Sequence, residues 1–307
     1  VGLAAILFAI FIQKEWRGAR AGSFDWPGFL CVVCFMPLLI FALARGNSPL
    51  NPEGWSSPEV IGCFAVAAAA LIVFIVRELR CENPLLNLKL LGERNFGVSM
   101  AVLAIFGIGM LGGTYLLPLY MQKGLGYTAI MAGSVFLPVG LIQGVLSTCS
   151  GFLTRYIKPL FIAVTGILVM TLSFYFASRF TLHTTHAQIM LVLYLRGFGM
   201  GLTFAPLNDF SLMNLSQRDM ASAAGISNSI KQLSGSVSIA LLTVILTGRT
   251  AFHSAQGGLS SAESYVAGIS DDFLFVTFVS LASALPFLWL LRPRRKAASF
   301  KSEGTGT

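Results

Sequence analysis

Eight stretches of this 307-residue chain are long enough, and nearly free enough of charge, to cross a lipid bilayer. That property limits the available folds more than any other. About 20 apolar residues span a hydrocarbon core of roughly 30 Å. Six of the stretches carry no charge: 26–44, 60–76, 96–121, 128–154, 159–178 and 273–291. Two more hold one charge each, Arg196 within 187–208 and Lys231 within 221–248. Inside hydrocarbon every backbone amide needs a partner within its own segment or a closed barrel. The runs lack the apolar–polar alternation of barrel strands. The expected fold is therefore all-α and integral to the membrane.

Composition excludes the soluble alternative. Charged residues make up 11% of the chain, against about a quarter in a typical soluble domain. The mean hydropathy is +0.76. The chain opens within a ninth apolar run, 1–12, which is too short to span and has no basic region before it. This run is expected to be the end of a truncated transmembrane helix, and the chain to be a C-terminal fragment.

Basic residues set the expected orientation, because cytoplasmic connections collect Lys and Arg. Alternate connections hold 15 Lys and Arg on one side and four on the other, Arg45, Lys123, Arg179 and Arg249. The richer side includes Lys14, Arg77, Arg94, Arg155, Lys158 and the tail Arg292, Arg294, Arg295 and Lys296. The C-terminus is thus expected in the cytoplasm, with the tail against anionic lipid. The formal net charge of +8 follows from this bias and calls for no nucleic-acid partner.

The pattern divides the chain into five parts. These are the truncated helix end at 1–12, two transmembrane helices with their loops at 13–76, and an amphipathic linker at 77–95. A six-helix block at 96–291 and a basic tail at 292–307 follow. The leucines of the linker, Leu85, Leu86, Leu88, Leu90 and Leu91, fit a segment lying at the membrane interface. Residues 249–271, rich in Gly, Ser and Ala, are expected to form a long mobile loop. Pro37, Pro118, Pro138, Pro206 and Pro286 fall inside the spans and predict kinks.

Candidate functional residues are the polar groups inside the spans. Arg196 is the most informative, since an intramembrane charge is costly and usually faces a bundle interior or a watery cavity. Gly197 and Gly201, four residues apart, allow a neighbouring helix close to it. Asn208 and Asp209 lie near the end of the same helix; Asp209 can titrate if desolvated or serve only as an interfacial residue. Asn228, Lys231, Gln232, Gly235 and Ser238 form a polar stripe suited to a cavity lining or to interhelical packing. Ser216 and Asp219 could cap that helix. Cys31 and Cys34 sit in an apolar run without further ligands, and His183, His186 and His253 are dispersed, so no metal site is expected. No phosphate-binding glycine loop and no nucleophile–base set is present, which predicts neither a nucleotide cofactor nor an enzyme.

Several short motifs, in order, resemble one family. They are Asn83-Pro84-Leu85-Leu86-Asn87-Leu88, Gly126-Tyr127-Thr128 with Leu137-Pro138-Val139-Gly140, Gly151-Phe152-Leu153-Thr154-Arg155, Leu195 to Gly201, and Ser227-Asn228 with Lys231 to Ser236. Together they resemble the C-terminal part of the major facilitator superfamily, in its fourteen-helix drug:proton antiporter branch of the EmrB/QacA type. Thr154 stands where that branch often has an acidic residue, and Lys231 where arginine is common. The resemblance implies secondary active, proton-coupled efflux of amphipathic, often cationic drugs by alternating access, in a bacterial inner membrane. It implies a substrate and proton pathway through Arg196, Asn208, Asp209, Asn228, Gln232, Tyr115, Phe198 and Phe204, and a gating loop at Gly151, Arg155 and Lys158. Partners implied are a drug-like molecule, protons and, in EmrB-like systems, a periplasmic adaptor with an outer-membrane channel. Alternatives are a facilitator of the same fold for a siderophore, sugar or amino acid, and a scaffold or sensor that transports nothing.

Overall fold

The computed structural model of the chain describes residues 25–46, 48, 51–81, 86–256 and 258–290, without the side chains of Arg218 and residues 288–290. The truncated helix at 1–12 and the tail at 292–307 lie outside the described residues. Among the described residues ten α-helices follow in order: α1 (Trp26–Gly46), α2 (Pro58–Arg80), α3 (Arg94–Leu119), α4 (Ala129–Ser134), α5 (Leu137–Leu153), α6 (Pro159–Ala177), α7 (His186–Leu212), α8 (Met220–Ala255), α9 (Ser261–Ala282) and α10 (Leu285–Leu290). Among the described residues, eight helical stretches are long and apolar enough to cross a membrane. Two of them are broken helices, α4 with α5 and α9 with α10.

The breaks coincide with proline. Pro138 and Pro286 each open the second piece of a split span, where a missing N–H costs least. Pro118 sits one residue before α3 gives way to a π-helical turn, Tyr120–Gly124. Pro37 and Pro206 stay inside continuous helices.

One expected boundary is overturned. Residues 249–271 are not a mobile loop: α8 continues to Ala255 and α9 begins at Ser261, twelve residues before Phe273. Ser260 and Glu263 form a capping box that fixes this start; the Glu263 amide donates to Ser260 Oγ at 3.2 Å and the Ser260 amide to Glu263 Oε2 at 2.8 Å. The charges that made the segment look like a loop are matched between α8 and α9. Arg249 Nε donates to Asp271 Oδ2 at 2.6 Å, and His253 Nε2 lies 2.7 Å from the same oxygen. The expected cap of α8 is also corrected. Asp219 holds the N-cap position, but its side chain makes no capping hydrogen bond; it accepts instead from Asn87 Nδ2 at 3.2 Å and from Ser216 Oγ at 2.8 Å.

Helix α3 is the axis of the bundle. It packs against α7, α8, α9 and α10 and buries Phe96, Val102, Phe106, Leu116 and Leu117 almost completely. Helix α7 is clasped on two sides. Gly197 and Gly201 meet α5, where an added Cβ would lie 3.1 Å from Val139 O and 3.0 Å from Gln143 O. Gly199 meets Gly166 of α6, with Cβ positions 2.8 to 2.9 Å from opposing backbone atoms. The linker folds as a 3-10 turn, Leu88–Gly92, with Leu90 buried and Leu86 and Leu88 packed on the core. The end of the bundle that carries it, where α2, α5 and α7 finish and α3, α6 and α8 begin, is called the linker end below.

Helices α1 and α2 form a hairpin held by its own contacts. Phe35 and Phe74 pack with ring centroids 6.3 Å apart, Gly46 lies against Trp55, and Asn51 Nδ2 donates to Gly54 O at 2.7 Å. Asp25 closes the linker end. Its carboxylate accepts from the Gly28 amide at 3.1 Å, as an N-cap does, and from Arg77 Nη2 at 2.8 Å. The hairpin meets the bundle mainly through α1 and α8. Between them lies an apolar gap of about 370 Å³, bordered by Phe35, Phe74, Leu86, Leu91, Ile230 and Leu233.

The Arg77 guanidinium holds the Asp25 carboxyl below its ordinary value, aided by the Gly28 amide. A lowered carboxyl stabilises the fold above about pH 4, the ordinary aspartate value, and loses that contribution as pH falls through the folded value. Asp25→Ala is expected to cost about 1 kcal/mol at neutral pH, the usual worth of an N-cap. Thermal unfolding in detergent checks this: the two proteins should converge on acidification, and an unchanged gap at low pH would contradict the assignment.

Candidate functional site

At the linker end three helices diverge and leave a cleft of about 230 Å³. Met100 and Leu103 line it from α3, Phe204, Leu207, Asn208 and Ser211 from α7, and Ala224, Ser227, Asn228 and Lys231 from α8. Apolar walls with a few polar groups are the usual form of a small-molecule site. The serine hydroxyls are committed locally: Ser211 donates to Asn208 O at 2.7 Å and Ser227 to Ala223 O at 2.8 Å. The amides of Asn208 and Asn228 are exposed to the opening. Lys231 Nζ stands 5.7 Å from the centre of the Phe204 ring, a cation–π contact that holds the ammonium at the wall. Phe204 is in turn set edge-on against Phe106 of α3.

Arg196 lies deeper, eight residues beyond Phe204, or about 12 Å along the α7 axis at 1.5 Å per residue. It is 3% exposed. Its Nη2 donates to Met110 O at 3.1 Å and to Thr114 Oγ1, both on α3. Its Nε is buried and makes no hydrogen bond. No carboxylate forms an ion pair with it among the described residues. The guanidinium is thus held by a carbonyl and a hydroxyl, and it ties α7 to α3 in the bundle interior.

The expected pathway residues do not converge on one place. Asn208, Asn228 and Phe204 share the cleft. Asp209 and Gln232 are exposed and lie outside its lining, because one step along a helix turns a side chain by about 100°. Phe198 is 44% exposed and also lies off the cleft. Tyr115 sits toward the opposite end of the bundle, its hydroxyl 3.4 Å from Thr243 Oγ1. The polar stripe of α8 divides as well. Lys231 and Asn228 face the cleft, while Gly235 packs against Leu111 and Ser238 donates to Ile108 O at 2.6 Å. Of the expected gating loop, Gly151 has no close neighbour, Arg155 lies over the Phe152 ring, and Arg155 and Lys158 are exposed.

Sequence reasoning missed the polar groups shared by α8 and α9. Arg249, His253 and Asp271 form one cluster, and Asp272 beside them is fully buried. The adjacent pair Asp271-Asp272 was the available signal, but the segment read as a loop.

Comparison with known proteins gives one family match and three relatives. The Major Facilitator Superfamily profile matches residues 1–239. The chain is 31% identical to an uncharacterized MFS-type transporter, YhcA of Bacillus subtilis, over 83% of this chain and 47% of that protein. It is 27% identical to the puromycin resistance protein pur8 of Streptomyces alboniger, over 97% of this chain and 60% of the relative. It is 31% identical to the multidrug export protein EmrB of Haemophilus influenzae, over 83% and 50%. The chain spans about half the length of the curated relatives it matches.

Proposed function

The chain belongs to the major facilitator superfamily, and on that premise we propose that it serves in proton-coupled export of amphipathic, drug-like compounds by alternating access. The observation that carries this reading is the cleft at the linker end, with apolar walls, two free amides and one ammonium. The printed names of two relatives, a puromycin resistance protein and a multidrug export protein, agree with it. In facilitator folds substrate sits between repeats that rock about it. Helices α3 to α10 supply one such unit, α1 and α2 are the additional pair, and the linker joins them. The excess of basic residues at the linker end supports a cytoplasmic position for that end and for the C-terminus, and the family resemblance supports a bacterial inner membrane.

Lys231 is the only charged side chain among the described residues lining the cleft. This wall therefore favours neutral and anionic amphipaths over the cations implied by the resemblance. The test is efflux from cells expressing the whole protein, with anionic, neutral and cationic amphipathic probes compared. Export should stop when a protonophore collapses the gradient. Lys231→Gln should lower export of the anionic probe severalfold and leave the neutral one near its starting rate. Uptake of a sugar, siderophore or amino acid in place of efflux would move the assignment to another solute, and no flux of any probe would favour a scaffold or sensor.

A further inference from the structure

Asp272 lies eleven residues past the start of α9, about 16 Å along the helix axis. It is 0% exposed, and neither carboxyl oxygen has a hydrogen-bond partner among the described residues. The α9 face that carries Gly268, Asp272 and Val276 meets α8 at Leu246 and Thr250 and α3 at Gly112. The Thr250 hydroxyl, which meets this face at Gly268, and the Ser264 hydroxyl two turns back along α9 are buried and equally uncommitted. We propose that Asp272 is a proton-binding site inside the membrane-spanning bundle, exchanging its proton through the Asp271–His253–Arg249 cluster beside it.

The groups that could supply a countercharge are engaged elsewhere. From α8, Arg249 and His253 both bind Asp271. From the π-helical turn, Lys123 lies over the Tyr265 ring at 5.9 Å and Tyr120 donates to Thr181 O at 2.7 Å. From α3, Tyr115 contacts Thr243, and from α6 the only titratable side chain, Tyr175, bonds Arg179. On α9 itself, Glu263 is committed to the Ser260 cap, and Tyr265 lies two turns away. A carboxylate without a cation or donor is strongly disfavoured in an apolar interior, and such a group keeps its proton instead. Its route to water is short. Asp271 is the preceding residue, 28% exposed at its side chain, and its carboxylate is shared with the His253 imidazole and the Arg249 guanidinium.

The site goes beyond the proposed export cycle and does not depend on it. Loss of proton-driven export with the site intact would sink coupling alone. The test is infrared spectroscopy of the whole protein in lipid bilayers. At about pH 7 a solvated aspartate is ionised by about a thousandfold over its acid form. Asp272 should nonetheless give a protonated-carboxyl stretch, absent in Asp272→Asn, and His253→Gln should slow its exchange with deuterium severalfold. No band dependent on Asp272 at neutral pH would overturn the site, and an unchanged exchange rate would overturn the route. If Asp272→Asn fails to accumulate, a hydrophobic carbodiimide applied to the unmutated protein replaces it. The carboxyl oxygen bonds the central carbon, the proton moves to nitrogen, and the O-acylisourea rearranges to a stable N-acylurea with nothing lost. An adduct at Asp272 supports the proposal; an unmodified Asp272 beside modified carboxyls overturns it.

Discussion

Arg196→Ala in the whole protein is expected to abolish or strongly reduce export while leaving insertion into the membrane intact. Insertion should survive because the substitution removes an intramembrane charge that costs about 2.5–3.5 kcal/mol on insertion scales. Export should fail because the guanidinium is what joins α7, which carries Phe204 and Asn208 of the cleft, to the central helix α3. A cation held by a carbonyl and a hydroxyl, with Nε left over, can exchange partners when the two helices shift. Lysine should restore only part of the activity, since it keeps the charge but lacks the planar five-donor fork that reaches Met110 and Thr114 together. Efflux from cells, normalised to the amount of protein in the membrane, decides this. Full export by the alanine variant at normal abundance would reduce Arg196 to a dispensable anchor.

The second large effect is expected at the crossing of α6 and α7. Gly199→Val should prevent accumulation of folded protein, and Gly166→Val should do the same. At Gly199 an added Cβ would lie 2.8 Å from Met170 N and 2.9 Å from Gly166 O; at Gly166 it would lie 2.8 Å from both Gly199 O and Thr203 N. These are backbone atoms, so no rotamer change can relieve the clash. Overpacking in a core typically costs about 1–3 kcal/mol and occasionally more; here two helices would have to separate. Gly62→Val is the control, because nothing lies within 4 Å of its Cβ position. Detergent-solubilised variants run on size exclusion and melted in parallel give the comparison. A Gly199→Val protein as abundant and heat-stable as Gly62→Val would contradict the packing.

The spans were legible in the sequence because hydrocarbon thickness sets their length and charge marks their ends. The start of α9 was hidden for the same reason. Asp271 and Asp272 looked like loop residues, and only the fold shows Arg249 and His253 satisfying one while the other lies buried. The depth of Arg196 and the spacing of Gly197 and Gly201 could be read locally, and the helices do approach there. The Gly166–Gly199 contact could not, since it joins single glycines on two helices. Membership of the cleft depends on how three helices are rotated and splayed. Asn208 and Asn228 fall inside it while the adjacent Asp209 and nearby Gln232 fall outside, a distinction no linear spacing contains. Tyr115 fails on position along the axis rather than on rotation.

The α1–α2 hairpin pairs Asp25 with Arg77 and Asn51 with Gly54 within itself, stacks its own aromatics, and faces α8 across an apolar gap. A unit closed in this way is portable. Its own hydrogen bonds and ring contacts hold it together, so its internal geometry depends little on the surface it leans on. The greasy seam it leaves is also a place where sequence can drift: substitutions at Leu71 or Leu233 need only stay apolar. Evolution can thus tune how the hairpin leans without touching the core that surrounds α3.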